Sequence, residues 1–381
     1  MPQIVHNKDG AASTTSAITI VRDGAAAALN SVWQVADGAV RLVWPPPAEV
    51  PEELGVSPLY VLVCDDSGDV NAGNVWTTLA ITASPTWSGP YARDTPGTSP
   101  SWGPVPCGDT LVIFDRDTLQ VETTTDTNFA DGVTINTLVN LSGTSATTCR
   151  YIGSVLFTAN SSGDYFISLD QGQSWTTYTS PNGAGADVVD MARLSNGRWV
   201  CHTFGSPRRA FWTDEPVPSS GWSSAITISS RIEMASSGTA IVLWDSGTTY
   251  SRTTNGSTYA DITSGFTANG GIITYGGGVF IGNGSAGKIA RSTDNGATFS
   301  EVAVGVGTAL TSAVFTTPNG DGDDGLWLIT MSGSGGTGDY LCFSDDLGLT
   351  WTNVALPFDR TDTAPVNRAR IGMVDLNVYG L

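Results

Sequence analysis

Short apolar runs separated by polar turns fill the chain from about residue 57 to its end. Stretches such as PLYVLVCDD, RWVCHTF, TAIVLWDSG and DYLCFSD set a few apolar residues between clusters of Asp, Gly, Ser or Asn. Runs of this length bounded by turn formers predict β-strands. Between residues 231 and 263 the order RIEMASS, TAIVLWDSG, TTYSRTTNG and STYADIT gives four strands in one period. Residues 1–50 follow a different pattern. IVRDGAAAALNSV and WQVADGAVRLVW share a Val-x-Asp-Gly unit, at Asp23-Gly24 and Asp37-Gly38. Asp-Gly between apolar runs predicts a hairpin, because a type I′ turn needs positive φ. Pro45, Pro46 and Pro47 then break the chain and open a Pro/Glu linker. The expected organisation is a hairpin module over 1–45, a linker over 46–57 and a strand-rich body over 58–381. A segment of roughly 50 residues buries little by itself, so the module is expected to order against another subunit or a partner.

A repeat decides the expected fold. Three copies of an octapeptide, Ser-x-Asp-x-Gly-x-x-aromatic, each lie between two strand-like runs. They are carried by Ser168, Asp170, Gly172 and Trp175; by Ser292, Asp294, Gly296 and Phe299; and by Ser344, Asp346, Gly348 and Trp351. Degenerate copies end at Trp76 and Tyr259, while Phe129 and Trp222 keep only the aromatic slot. The slots recur every 37 to 53 residues, a period of stacked supersecondary units. Within each octapeptide the Asp carboxylate is placed to accept backbone N–H groups across the turn. Gly supplies a positive φ, and the aromatic opens the next strand.

These octapeptides resemble Asp-boxes, the repeats of sialidase-like β-propellers, which sit between the third and fourth strands of each blade. The resemblance covers roughly residues 57–381 and implies an all-β propeller of four-stranded blades, seven by the slot count with six as the alternative. Only one clear strand precedes the first slot, and RARIGMVDLNVYGL follows the last without a box of its own. The C-terminal segment is therefore expected to complete the first blade and close the ring. Sialidases also resemble one another in an Arg-Ile-Pro motif, three substrate-binding arginines and a Tyr/Glu pair. Here Arg231-Ile232 is followed by Glu233 and Arg370-Ile371 by Gly372. Only Glu122, Glu215, Glu233 and Glu301 follow the linker, and no acid pair is singled out by spacing. No catalytic residue is assigned, and the chain is expected not to be an enzyme.

Composition narrows the partners. The 381 residues are 40% hydrophobic and only 14% charged, with 45 Gly and 19 Pro, and Glu and Lys are scarce, so a helical protein is excluded. A net charge of -19 opposes nucleic-acid binding. No apolar stretch is long enough to span a membrane, and the start, MPQIVHNKDG, reads as lacking a secretory signal. The five cysteines are scattered without CxxC spacing, so buried free thiols are expected, those in strand-like runs being Cys64, Cys201 and Cys342. His6 and His202 are the only histidines. His202 is expected to be a satisfied structural residue, with Cys201 on the opposite face of its strand.

Three places offer ligand chemistry. The segment 83–108 reads as an insertion outside the regular strands, and its Trp87, Tyr91 and Trp102 form candidate stacking platforms for sugars or a protein partner. Arg208 and Arg209 in GSPRRAF make a local positive spot. Asn319, Asp321 and Asp323 alternate as calcium ligands do, but without the Glu that completes an EF-hand, so Ca²⁺ is second to a solvated turn and no other cofactor is implied. The VRDG/VADG segment resembles small β attachment modules of phage tail proteins. On that resemblance the first expectation is a non-enzymatic virion structural protein of a phage tail. Residues 1–45 would anchor it to other tail proteins, and the propeller, most simply a trimer, would bind a host-surface glycan or protein. The alternative is a secreted sialidase-like glycoside hydrolase or carbohydrate-binding lectin propeller, hence an extracellular protein.

Overall fold

The structure is a computed structural model that describes residues 21–22, 25–26, 33–36, 39–42, 59–64, 75–78, 81–91, 101–107, 110–115, 119–124, 137–142, 146–183, 185–205, 207–228, 233–316, 325–333, 340–356 and 369–374. The chain forms two compact units, Met1–Val56 and Ser57–Leu381. Every described element is a β-strand, and among the described residues no helix is long and apolar enough to cross a membrane. In the first unit Val21–Arg22 pairs with Ala25–Ala26, and Trp33–Ala36 pairs with Ala39–Leu42. These are the two hairpins flanking the Asp-Gly dipeptides.

The described residues of the second unit form seven four-stranded antiparallel sheets, called blades I to VII here. Their inner strands are Ala369–Val374, Ser101–Cys107, Ala146–Ile152, Val188–Arg193, Glu233–Ser236, Ile273–Gly276 and Leu310–Thr316, and each contacts the next around a closed ring. Blades II to VII are meanders in which successive strands pair. Blade I takes its inner strand from the other end of the unit. Ala369–Val374 lies antiparallel to Leu59–Cys64, with Ala369 opposite Cys64 and Val374 opposite Leu59. The expected closure by the C-terminal segment therefore holds, and it removes the free edge the first blade would otherwise expose.

The core lies between blades. Phe157 and Tyr165 of blade III pack with Met191, Trp199 and Phe211 of blade IV; Val242 and Trp244 of blade V pack with Ile273 and Phe280 of blade VI. The octapeptide turns are part of these seams. In blade VI the Ser292 hydroxyl donates to Asp294 Oδ1 (2.7 Å) and accepts the Gly296 N–H (3.0 Å), while the Asp294 carboxylate accepts the Thr298 N–H and hydroxyl. The same bonds recur in the turns of Asp170 and Asp346. Partial burial works against charge on Asp346. Hydrogen bonds from Thr350, Ser344 and the Leu349 amide outweigh it and hold its carboxyl down at about 2.

Not only Gly takes the left-handed conformation: Gln171, Asn295 and Leu347, each just before it, also have positive φ (59°, 56° and 58°). The Gly itself is required by its neighbour. A Cβ on Gly296 (φ 74°) would stand 2.2 Å from Cγ2 of Val242 in the preceding blade. Arginines reach across the same seams. Arg252 Nε donates to the Asn295 carbonyl (2.9 Å) and Arg291 Nε to the Leu347 carbonyl (2.8 Å). Blade IV has Trp212 where blade V has Arg252, and there Arg198 lies over the Trp212 ring (3.9 Å), is braced by Asp214, and donates to the Asn255 carbonyl.

Two expectations need correction. Trp175, Trp222, Tyr259, Phe299 and Trp351 fall between third and fourth strands, but Trp76 lies inside the third strand of blade I, Val75–Thr78; its copy had lost the Ser-Asp half that makes the turn. Phe129 lies outside the described residues. The segment 83–108 is no insertion: it carries the outer strand of blade I, Ser88–Tyr91, and the inner strand of blade II, Ser101–Cys107. Its prolines and glycines masked both strands, the second of which has a bulge between Trp102 and Val105.

The seam contact is testable by pairing two glycines. Gly296→Ala combines left-handed strain with the Val242 clash and is expected to destabilise by about 3 kcal/mol. Gly265→Ala, at φ 84° with nothing within 4 Å of the added Cβ, should lose only about 1 kcal/mol. Urea unfolding of the two variants reads the difference; equal losses would show that the turn does not dock on its neighbour.

Candidate functional site

The inner strands of blades III to VI place polar side chains where an all-apolar interior would suffice. Arg150 comes from Ala146–Ile152, Asp190 from Val188–Arg193 and Glu233 from Glu233–Ser236. Asp190 is fully buried, and its carboxylate is densely used. Arg150 Nε donates to Oδ1 (3.2 Å) and Nη2 to Oδ2 (2.9 Å), and the Met191 and Met234 amides donate at 2.8 and 2.9 Å. Because Met234 belongs to blade V, one carboxylate joins the inner strands of three successive blades. Arg150 Nη2 also reaches Glu233 Oε2 at 3.4 Å. Burial opposes charge on Arg150, but the two carboxylates reverse this and raise its pKa above the ordinary arginine value.

Beside this cluster opens a cavity of about 360 Å³, lined among others by Arg150, Tyr151, Arg193, Ser236, Thr274 and Tyr275. Its walls are tied together. The Ser236 hydroxyl donates to the Arg193 carbonyl (2.6 Å), and the Ser195 amide donates to the Gly238 carbonyl (2.8 Å), bridging blades IV and V. Arg193 donates through Nε to the Gly197 carbonyl and lies 5.1 Å from the centre of the Trp199 ring. Among the described residues, Arg150 Nη1 and both terminal nitrogens of Arg193 have no hydrogen-bond acceptor. The Tyr275 ring packs on Phe280 at 4.7 Å.

The residues singled out from sequence fall elsewhere. Trp87 is half-buried in the seam between blades VII and I, where its indole N–H donates to the Ala355 carbonyl (2.8 Å) and its ring packs near Leu328, Leu341 and Val354. Tyr91 and Trp102 lie on strands, and their side chains are outside the described residues. Arg208 lies 4.6 Å from the centre of the Phe204 ring, which is 52% exposed, and Arg209 donates to Asn182 Oδ1. Both are at the other end of blade IV from the cavity: the Phe204 amide bonds the Asp187 carbonyl just before the inner strand begins, whereas the cavity gathers residues 191–193. Asn319, Asp321 and Asp323 lie outside the described residues, and among the described ones no group of three His, Cys, Asp or Glu side chains could hold a metal.

Cys107, Cys201 and Cys342 are buried, Cys149 is partly buried, and among the described residues none forms a disulfide; the Cys64 side chain lies outside the described residues, and burial pushes the Cys149 thiol up to about 12. His202 is buried, but it is not satisfied: among the described residues neither ring nitrogen has a hydrogen-bond partner. Arg150, Asp190, Arg193 and Tyr275 were missed from sequence. The available signal was a charge set inside an apolar run, as in ATTCRYI and VVDMAR.

No known protein family matches the chain, and no curated protein matches it. Among solved structures it is similar to a putative 6-phosphogluconolactonase from Bacteroides uniformis ATCC 8492, with TM-score 0.56, 15% identity, and coverage of 84% of this chain and 100% of the other. It is similar to PorZ, a bacterial surface component of the type-IX secretion system of Porphyromonas gingivalis, with TM-score 0.52 and 14% identity; the match spans 75% of this chain but 36% of PorZ. A third likeness is to Chaetomium thermophilum Sqt1 bound to the N-terminus of ribosomal protein L10, with TM-score 0.50, 12% identity, and coverage of 67% and 75%. These likenesses run to a putative lactonase, a secretion-system component and a ribosomal-protein-bound propeller, not to tail proteins. They overturn the expectation of a phage-tail virion protein, which rested on the resemblance of one short hairpin segment. At this level of identity they establish the fold: the chain is an all-β propeller of four-stranded antiparallel blades, distantly similar to these proteins.

Proposed function

We propose that this chain is an Asp-box propeller of the carbohydrate-binding kind, which holds a sugar in the cavity beside Arg150 without hydrolysing it. The observation that carries the reading is the set of N–H groups on Arg150 and Arg193 without an acceptor among the described residues, around a cavity of about 360 Å³ that Tyr151 and Tyr275 also line. Sugars present many acceptor oxygens and flat C–H faces, which such donors and rings recognise. The three octapeptide turns, with their shared Ser–Asp–Gly bonding, support the Asp-box assignment. Binding is favoured over hydrolysis because glycosidases place two carboxyl groups on either side of the scissile bond. Here Asp190 and Glu233 both engage one guanidinium, so neither is free to act as a general acid or nucleophile.

A glycan array followed by calorimetric titration of its best hit tests this. Arg193→Ala and Tyr275→Ala are each expected to weaken binding at least tenfold, about 1.4 kcal/mol, with a stability loss near 1 kcal/mol. An array without hits, or variants that bind as the native chain does, would remove the proposal. Asp190→Ala should lose binding and stability together, by about 3–5 kcal/mol in urea unfolding, because it leaves the Arg150 charge with only the longer contact to Glu233 and the Met191 and Met234 amides without their acceptor.

A further inference from the structure

His202 is 1% exposed in the second strand of blade IV, Trp199–Thr203. It stands directly opposite Asp190 in the antiparallel register, so the two side chains share one face of the sheet. That face meets blade V, as Ala192 and Val200, of the same alternation, pack against Met234, Ile241 and Leu243. A buried imidazole normally finds a partner. Among the described residues this one has none, and the carboxylate next to it is already committed to Arg150, the Met191 amide and the Met234 amide. Asp190 on the neighbouring strand and Arg208 at the start of the next are the charges acting on His202. From the flanking blades, Arg150 and Glu233 join the same cluster.

We propose that His202 is a proton switch for the cavity: on protonation it draws Asp190 away from Arg150 and from the Met234 amide, loosens the seam between blades IV and V, and releases the cavity's ligand in acid. The imidazolium adds a buried charge whose nearest counter-charge is Asp190. The carboxylate can turn toward it only by giving up bonds it already makes. Arg150 then loses the clamp that orients it, and the Met234 N–H loses its acceptor. The release step rests on the carbohydrate-binding reading; the loosening of the seam does not.

The pH window follows from the imidazole. Burial pushes its pKa down to about 4; Asp190 acts in the opposite direction, and Arg208 adds to the lowering. In the unfolded chain the group takes up its proton near 6.5. The depressed value means the seam is at full strength above about pH 6.5 and weakens as pH falls toward 4. The Asp346 carboxyl, held at about 2, titrates below this range and does not confound it.

The test uses the full chain without ligand, so a failed glycan array leaves it intact. The chain has only two histidines, and His6→Gln leaves a single imidazole resonance. That resonance is expected to titrate below pH 5, together with a fall of at least tenfold in hydrogen-exchange protection of the Met234 amide between pH 7 and pH 4.5, corrected for intrinsic rate. In His202→Leu the Met234 protection should stay constant over the same range. An imidazole that titrates near 6.5 with Met234 protection unchanged overturns the proposal, as does an equal loss of protection in His202→Leu. Should His202→Leu not fold, the His6→Gln chain still decides, since it leaves His202 in place. With the seam result in hand, the array's best glycan should bind at least tenfold more weakly at pH 4.5 than at pH 7 in the native chain only; an unchanged affinity overturns the release step alone.

Discussion

Each blade of this ring is completed by the next. A four-stranded sheet apolar on both faces cannot stand in water alone, and its neighbours supply the missing surfaces. The contact that sets the spacing is the octapeptide turn pressed against the preceding sheet. Gly296 lies so close to Val242 that no side chain fits between them. Gly172, Gly256 and Gly348 make the same approach to Thr123, Val200 and Ile281. The Ser and Asp hydrogen bonds keep the turn in the shape this approach requires, and the arginines over the seams bond its carbonyls. Closing blade I with Ala369–Val374 then gives the series a seventh seam instead of two exposed edges.

At the inner strands the logic changes from apolar to ionic. A buried ion pair is weak evidence for stability, because removing two charges from water offsets most of their attraction. Asp190 and Arg150 therefore need another reason to be there, and the cavity supplies one. Two carboxylates fix the guanidinium by one edge and leave Nη1 directed away from them, so the pair positions a donor as much as it joins blades. His202 stands beside that carboxylate without a hydrogen-bond partner among the described residues. A residue optimised only for packing at this position would be apolar.

The fold was largely legible in the sequence because its signals are local. Asp-Gly marked the N-terminal hairpins, the octapeptides marked junctions between third and fourth strands, and the unmatched C-terminal strand implied closure. Legibility failed where local chemistry had been lost. Trp76 kept an aromatic without the Ser-Asp turn, and Pro and Gly in 83–108 concealed two strands. The candidate site was not legible for a different reason. Arg150, Asp190 and Glu233 lie 40 and 43 residues apart along the chain, and only the stacking of three blades brings them together. Trp87 is a second case: its indole N–H bonds the Ala355 carbonyl of the neighbouring blade, a contact that no pattern in its own segment announces.

The position of the cavity follows from the same division. A propeller seam made only of Val, Leu, Ile and aromatic contacts is rigid and offers no donors. The place where ligand chemistry can develop is where a seam has given up part of its apolar contact for hydrogen-bonding groups. Blades III to VI do this at their inner strands, and Asp190 carries the consequence, since the carboxylate that holds blade IV to blade V also holds the cavity's arginine. Blade packing and the geometry of the cavity are therefore coupled through one side chain. A change of charge beside Asp190 reaches the cavity and the seam together, and the imidazole of His202, directly opposite Asp190 in the register, is placed where such a change would arise.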